Sequence, residues 1–249
     1  MRRADLERTI RDLLGSSTLD QYPDGWGFTV KGREPIRRLG YATNLTPETV
    51  EEAIKSGVDF ILTHHKAWDF LYGMGELCST RLQEAGIGHL YAHAVLDAAD
   101  FGQVEALLAR LGIAVVEKAN LYEGLWAGRV GVCDPPVPLE ELVRRMEALL
   151  EEPVRAWKNH ERLIRRVACT TGGGSMTNDV KDAVDRECDV YITGEKVLYT
   201  VLYARFAGID LIVGSHTFTE IFGVESLAHK IKERFPDLEV VRLKEEHLE

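Results

Sequence analysis

The chain lacks a basic surplus, long apolar runs and paired cysteines, and each absence excludes something. It carries 30 Lys and Arg against 40 Asp and Glu, a formal net charge of -10. Broad phosphate-backbone binding needs clustered cations, so nucleic acid is not an expected partner. No segment approaches the roughly 20 apolar residues of a membrane span, so no membrane partner is expected. The N-terminus (Met1-Arg2-Arg3-Ala4-Asp5-Leu6-Glu7) turns acidic at once without an apolar core, so no signal peptide is expected. Cys78, Cys133, Cys169 and Cys188 are scattered, with no C-x-x-C. They read as small buried hydrophobes in a reducing cytosol, and the protein is expected to be cytoplasmic. What is present is a chain of 249 residues, 45% hydrophobic and 28% charged. That suffices for a sizeable core, as one large domain or two smaller ones.

Helical and strand-like patterns alternate along it. Apolar residues at helical spacing run from Asp5 to Leu14 and stop at Gly15, and Asp20 to Gly27 reads as a polar loop containing Trp26. Ile36 to Ala42 reads as a strand. Thr46-Pro47-Glu48 starts a helix, with Thr46 as N-cap and Pro47 at the first helical position. Then come a strand ending at His64-His65, a helix over Met74 to Ala85, a strand over His89 to Ala92 and a helix over Gln103 to Leu111. Ile113 to Val116 and Leu125 to Val132 read as strands, Leu139 to Leu150 as an amphipathic helix, and Glu151 to Arg162 as charged and irregular. Strands over Leu163–Cys169, Val190–Thr193, Leu211–Val213 and Leu238–Leu243 alternate with helices over Asn178–Glu187, Val197–Phe206 and Glu220–Phe235. This alternation predicts α/β layers with largely parallel sheets. Approximate halves 1–120 and 160–249 are expected, joined by a bridging segment 121–159.

A short pattern repeats. Ala53-x-x-x-Gly57-Val58-Asp59 matches Ala204-x-x-x-Gly208-Ile209-Asp210, and Ala183-x-x-x-Glu187-Cys188-Asp189 follows it with the Gly lost. Each reads as a helix end, a tight turn and a buried strand. Every helix-to-strand junction has this look, so the spacing alone is weak evidence of duplication. It still suggests two similar halves delivering polar residues to one sheet edge.

Those residues carry the chemistry. The apolar run Val58 to Leu62 ends in Thr63-His64-His65, at the strand end where open α/β sheets place ligands. His216 and Glu220 are four apart, on one face if helical, although Glu220 also suits a helix N-terminus electrostatically. His93 and Asp97 repeat the spacing after another strand, although Asp97 could simply N-cap the next helix. Imidazole with carboxylate suits zinc, iron or manganese better than calcium or magnesium. Six candidate ligands exceed one tetrahedral ion with an open position. They fit two divalent transition-metal ions roughly 3.5–4 Å apart, bridged by a carboxylate.

The motifs Phe60-Ile61-Leu62-Thr63-His64-His65, His93-x-x-Leu96-Asp97, Tyr191-Ile192-Thr193-Gly194-Glu195 and Gly214-Ser215-His216-x-x-x-Glu220, in this order, resemble the Nif-three-like dinuclear metal family. Its members are often called GTP cyclohydrolase 1 type 2 homologues. The resemblance runs from about residue 5 to 243. It implies two similar α/β subdomains with mixed, largely parallel sheets facing each other across a dinuclear metal cleft. It implies metal ligation by His64, His65, Asp97, His216 and Glu220, with Glu220 bridging, and His93 close by as a proton-transfer group or partner of the ligands. It further implies a homohexamer, a ring of dimers. The stretch Val116 to Arg162 is too short for the domain some relatives insert there, so the chain resembles the compact form. Three positions depart from the family pattern: Lys66 where Pro usually follows the two His, Asn44 where Asp is common, and Tyr199 where a His usually follows Thr193-Gly194-Glu195.

Two functions are open at this point. One is a metal-dependent hydrolase acting on a nucleotide or related heterocycle or phosphoester, GTP by the family label, with His93 or Glu195 shuttling protons. The other is a non-catalytic metal-binding ring acting as regulator, scaffold or metal store. Thr170-Thr171-Gly172-Gly173-Gly174-Ser175 sits between strand and helix, as an anion loop does, but lacks the Walker Lys and G-x-G-x-x-G. It reads equally as a flexible turn. Trp26, Trp126 and Trp157 read as core or subunit contacts, with Trp68 set apart by its place three residues past His65. His89, His160, His229 and His247 are not expected to be ligands, and Lys244 to Glu249 reads as a solvated end.

Overall fold

The computed structural model describes residues 1–249. They form two compact units. The first comprises Met1–Ala99 and Val224–Leu248, the second Asp100–Gly223 with Glu249.

In the first unit, α1 (Arg3–Leu14) and α2 (Ser16–Gln21) precede β1 (Trp26–Val30), β2 (Arg38–Asn44), α3 (Pro47–Lys55), β3 (Phe60–His65), α4 (Met74–Ala85), β4 (Gly88–Ala92) and a single turn, α5 (Ala94–Asp97). The chain returns at its far end with β11 (Glu239–Arg242). The five strands form one sheet in the order β1-β4-β3-β2-β11. All neighbours are parallel except β1, which runs antiparallel to β4. The expected loop around Trp26 is therefore partly a strand, because Trp26 pairs with Ala92 across the sheet edge. Thr46 caps α3 as expected, its side chain accepting from the Thr49 N–H at 3.2 Å. One face of β3 packs with α3 and α4 in a core of Val50, Ala53, Ile61, Cys78 and Leu82.

The second unit contains α6 (Gln103–Arg110), β5 (Ala114–Tyr122), β6 (Leu125–Val137), α7 (Leu139–Leu150), β7 (Arg155–Trp157), β8 (Ile164–Thr170), α8 (Thr177–Asp185), β9 (Val190–Thr193), α9 (Leu198–Ala207) and β10 (Asp210–Val213). α10 (His216–Arg234) starts here, and its residues from Val224 onward belong to the first unit. The sheet order is β5-β6-β8-β9-β10-β7. Only β8-β9 and β9-β10 are parallel; β5-β6, β6-β8 and β10-β7 are antiparallel. The largely parallel expectation thus holds for the first sheet and fails for the second. The reason is a long hairpin, β5-β6, turning at Glu123-Gly124, both with left-handed φ. Residues 121–159 hold the end of β5, all of β6, and α7 and β7.

The repeated pattern has a concrete structural basis. At each copy the Ala carbonyl accepts the N–H five residues on: Val58 from Ala53, Cys188 from Ala183, Ile209 from Ala204. The intervening residue is left-handed, with φ of 63° at Gly57, 70° at Gly208 and 54° at Glu187. This is a standard helix C-terminus, and Leu82-Gly86-Ile87 and Leu108-Gly112-Ile113 make it too. The Asp is what distinguishes the three. Asp59 accepts the N–H groups of Arg37 and Arg38 at 2.8 and 2.9 Å. Asp189 accepts those of Arg165 and Arg166, both at 2.9 Å. Asp210 accepts those of Asn159 and His160 at 2.6 and 3.2 Å. Each carboxylate clamps the backbone beside its own strand and so sets where pairing begins. Charge-assisted bonds of this kind are the stronger ones. Asp189→Ala is expected to destabilise the protein by about 2–4 kcal/mol, with Asp189→Asn recovering most of that, in urea unfolding.

Candidate metal centre

The first unit gathers histidines at the end of its central strand. β3 lies between β2 and β4, and all six of its residues are buried, including both imidazoles. Successive strand residues lean to opposite sides, and the two rings use different neighbours. His64 Nδ1 lies 2.8 Å from the Ala92 carbonyl at the end of β4. His65 Nδ1 lies 2.8 Å from Asn44 Oδ1 at the end of β2. A carbonyl only accepts, so His64 carries its proton on Nδ1 and presents Nε2 as a lone pair. That Nε2 faces Asp97 Oδ1 at 3.4 Å. Asp97 ends the one-turn α5, and Gly102 takes the N-cap of α6, so Asp97 does not cap that helix.

His93 begins that turn. Its ring centroid is 4.8 Å from that of His64 and 5.2 Å from that of His65. The three rings each place a nitrogen within 4.8 Å of the others. Below them, Thr63 Oγ1 donates to the His65 carbonyl at 2.7 Å and accepts from His89 Nε2 at 2.8 Å. His89 Nδ1 in turn meets Thr29 Oγ1 at 2.5 Å. His89 is fully buried, and burial pushes its pKa down to about 3. It stays neutral and braces the strand end instead of ligating. Lys66, the departure beside His65, holds its ammonium over the rings of Trp68 at 5.2 Å and Tyr91 at 5.5 Å.

The second unit holds its own imidazole and carboxylate donors. His216 is the first residue of α10, just past the C-terminal end of β10, and Glu220 is one turn on. The structure thus starts this helix four residues before the sequence pattern suggested. Ser215 accepts the Phe218 N–H at 3.1 Å, as an N-cap does. The Glu249 carboxylate accepts the N–H groups of His216 and Thr217 at 2.5 and 3.1 Å, an anion at the positive helix end. His216 Nε2 is 3.3 Å from Glu220 Oε2, and its Nδ1 is 2.6 Å from Glu195 Oε1, just beyond β9. Burial opposes the imidazolium here, but Glu220 and then Glu195 overcome it and raise the His216 pKa to about 10.

Gly172, which the sequence reading placed in an anion loop or a flexible turn, packs against the candidate ligands themselves. It has left-handed φ, and a Cβ there would lie 1.9 Å from Glu220 Oε1 and 2.8 Å from His216 Nε2. Its N–H is held by Thr219 Oγ1 at 3.0 Å. Ser175 N–H bonds back to Gly173 O at 2.7 Å. Two loop donors are therefore used internally, which fits a packed strand-to-helix turn. Beside it a cavity of about 330 Å3 is lined by Arg155, Glu195, Lys196 and Ser215 among others. Tyr199, on α9, is 67% exposed. Glu245 was missed, because its stretch reads as a solvated tail. Its carboxylate accepts the Thr43 and Asn44 N–H groups at 2.7 and 2.9 Å.

Imidazoles at His64 and His65 with Nε2 presented, the partly buried Asp97 and buried Glu220 carboxylates, and a glycine that leaves room at His216 and Glu220 suit a transition-metal ion better than a hard alkaline-earth one. Fold and donors together define a mixed α/β protein with groups of His, Asp and Glu near strand ends that could hold a metal ion. The chain belongs to the Duf34/NIF3 (NGG1p interacting factor 3) family, whose model matches residues 1–247. It is similar to a GTP cyclohydrolase 1 type 2 homolog of Pyrococcus horikoshii, 29% identical over 87% of this chain and 89% of that one. The homolog of the same name from Escherichia coli K12 is 28% identical over 96% of each. Among solved structures, protein ybgI, described as of unknown function, matches with a TM-score of 0.87 and 26% identity over 99% of both chains. Reduced HcgD from Methanocaldococcus jannaschii shares the fold, with a TM-score of 0.81 over 98% of both chains at 24% identity.

The raised His216 pKa carries a pH signature. Its contribution to stability is complete below the unfolded value near 6.5 and is lost as pH rises through about 10. In chelator-treated protein, NMR titration of the His216 ring is expected to give a midpoint near 10, and Glu195→Gln to lower it by a unit or more. An unshifted midpoint in that variant means Glu195 does not hold the imidazolium.

Proposed function

We propose that His64, His65 and Asp97 of the first unit and His216 and Glu220 of the second unit form one dinuclear transition-metal centre, with Glu220 as the bridge. In this reading the protein is a metal-dependent hydrolase acting on a nucleotide or related heterocycle or phosphoester. The observation that carries it is shared by all three proposed His ligands. Each has its Nδ1 against an acceptor, the Ala92 carbonyl, Asn44 Oδ1 or Glu195 Oε1, so that Nε2 is the donor on offer. When bound, zinc, iron or manganese supplies Lewis acidity and lowers the pKa of water toward neutrality. The chain's own residues supply the rest. His93, beside the first two imidazoles, accepts and returns a proton. Glu195 holds the His216 Nδ1 proton through one oxygen and offers the other, on a half-exposed side chain, as a second proton station. The cavity beside Ser215 brings Arg155 and Lys196 together with the carboxylates of Glu152, Glu195 and Glu249, a mixed-charge lining for a polar substrate group. The relatives' names make GTP the first substrate to try.

Protein purified without chelators is expected to hold about two transition-metal ions per chain by elemental analysis, and Glu220→Ala to lose at least one. A Glu220→Ala protein that keeps both ions removes the bridging assignment. The loaded protein is expected to convert GTP to a ring-opened product. No turnover with any of the three metals at ample enzyme removes the hydrolase reading for GTP and leaves a non-catalytic metal-binding role.

We also place the protein in the cytoplasm, which four buried free cysteines support. No helix is long and apolar enough to cross a membrane. Self-assembly into a hexamer is the partner reading, and the exposed apolar face of α9 supports it. Leu198, Leu202 and Phe206 recur every four residues on that helix, and Phe206 is 86% exposed. Light scattering is expected to give a hexamer mass for the wild type and a smaller one for Phe206→Glu. An unchanged mass in the variant would take α9 out of the interface.

A further inference from the structure

An imidazole has one proton to place when neutral, and its neighbours decide where it goes. For His64 the decision is made by a backbone carbonyl, which has no alternative. For His65 the neighbour is the side chain of Asn44, and an amide has two faces. Its oxygen accepts and puts the His65 proton on Nδ1. Its NH2 group, turned to the same place, would donate to Nδ1 and drive the proton to Nε2. The amide therefore acts as a selector that something else must hold in position.

Glu245 does so. Asn44 Nδ2 donates to Glu245 Oε1 at 3.0 Å, and the Asn44 backbone N–H meets the same oxygen at 2.9 Å. The Thr43 N–H bonds to Oε2 at 2.7 Å. These contacts fix the carboxylate against the end of β2, and a carboxylate offers only lone pairs. Turning the amide would bring Asn44 Oδ1 against Glu245 Oε1, oxygen to oxygen. The amide is held with its NH2 toward Glu245 and its oxygen 2.8 Å from His65 Nδ1. Position 245 lies just beyond β11, which pairs in parallel with β2 and brings the tail to this point.

We propose that Glu245 is a positioning residue that, through Asn44, keeps the His65 proton on Nδ1 and so preserves Nε2 as a metal-ligand lone pair. This rests on the dinuclear reading above, but its first readout does not need a metal. In chelator-treated protein above pH 8, two-bond 15N–1H correlation spectra report the tautomer of each imidazole. Wild-type His65 is expected as the Nδ1–H form. Glu245→Ala is expected to populate the Nε2–H form, with His64, held by the Ala92 carbonyl, unchanged as an internal control of folding. Metal affinity by chelator competition is expected to fall about tenfold or more, the range for losing a group that orients a ligand.

The second variant separates orientation from anchoring of the tail. Asn44→Asp makes position 44 an acceptor on both faces, so Glu245 is no longer needed to orient it. The double variant Asn44→Asp/Glu245→Ala is therefore expected to return His65 to the Nδ1–H form and to recover affinity, while its tail stays unanchored. A Glu245→Ala protein with an unchanged His65 tautomer overturns the proposal. So does a double variant that stays in the Nε2–H form, since the tail would then act by another route. A tautomer shift that is rescued, in proteins none of which binds metal, overturns the metal reading and leaves the hydrogen-bond control standing.

Discussion

A histidine can serve a metal only if its proton is held elsewhere, and on the reading proposed here three imidazoles are set up for that condition. His64, His65 and His216 meet it with three different acceptors: a backbone carbonyl, an amide oxygen and a carboxylate. The three differ in how firmly they decide. The carbonyl is built into the sheet and needs no help. The carboxylates of Glu220 and then Glu195 make the His216 imidazole more basic, against the burial that opposes its charge. The amide is neutral and reversible, and it depends on a distant part of the chain. Sites of this kind owe as much to the residues behind the ligands as to the ligands themselves.

The three aspartates connect the fold to these imidazoles. Asp59 clamps the backbone at the start of β2, and the pairing that begins there runs from Leu39 opposite Phe60 to Asn44 opposite His65. The clamp and the His65–Asn44 contact are the two ends of one ladder. A slip of one residue would turn His65 to the other side of the sheet and place a different residue beside Asn44. The same device at Asp189 and Asp210 registers β8, β9 and β10, whose far ends lead into Gly172, Glu195 and His216.

Much of this was legible in the residues, and what was not has a common cause. The strand ending in His64-His65 was visible because an apolar run stopped at two polar residues. His216 and Glu220 were visible because their spacing makes sense on a helix. The Ala-x-x-x-Gly-x-Asp pattern was visible, although its Asp explained it and its Gly did not. By contrast, β1 was hidden in a Gly- and Pro-rich stretch and exists because Trp26 to Val30 pair with β4 far along the chain. The antiparallel character of the second sheet follows from a hairpin whose second strand carries Pro135 and Pro136, poor strand formers by themselves. Gly172 read equally as part of an anion loop or of a flexible turn until the carboxylate beside it was placed. Glu245 read as one more charge in a polar tail. Each of these residues is defined by a partner distant in sequence, and local pattern does not carry that information.

The first sheet is discontinuous in the chain: four of its strands lie before residue 100, and β11 lies after residue 238. Residues 100–223, between them, form a continuous unit. On a ribosome residues 100–223 are made before β11, and domains generally fold as they emerge. The first sheet must wait with β2 as an open edge, and His65 waits with it for the residue that orients its amide. The hydrogen bond that sets the Asn44 amide beside His65 is thereby tied to synthesis of β11 and the residues just after it, and a nascent product without them would carry the same histidines with that amide unset.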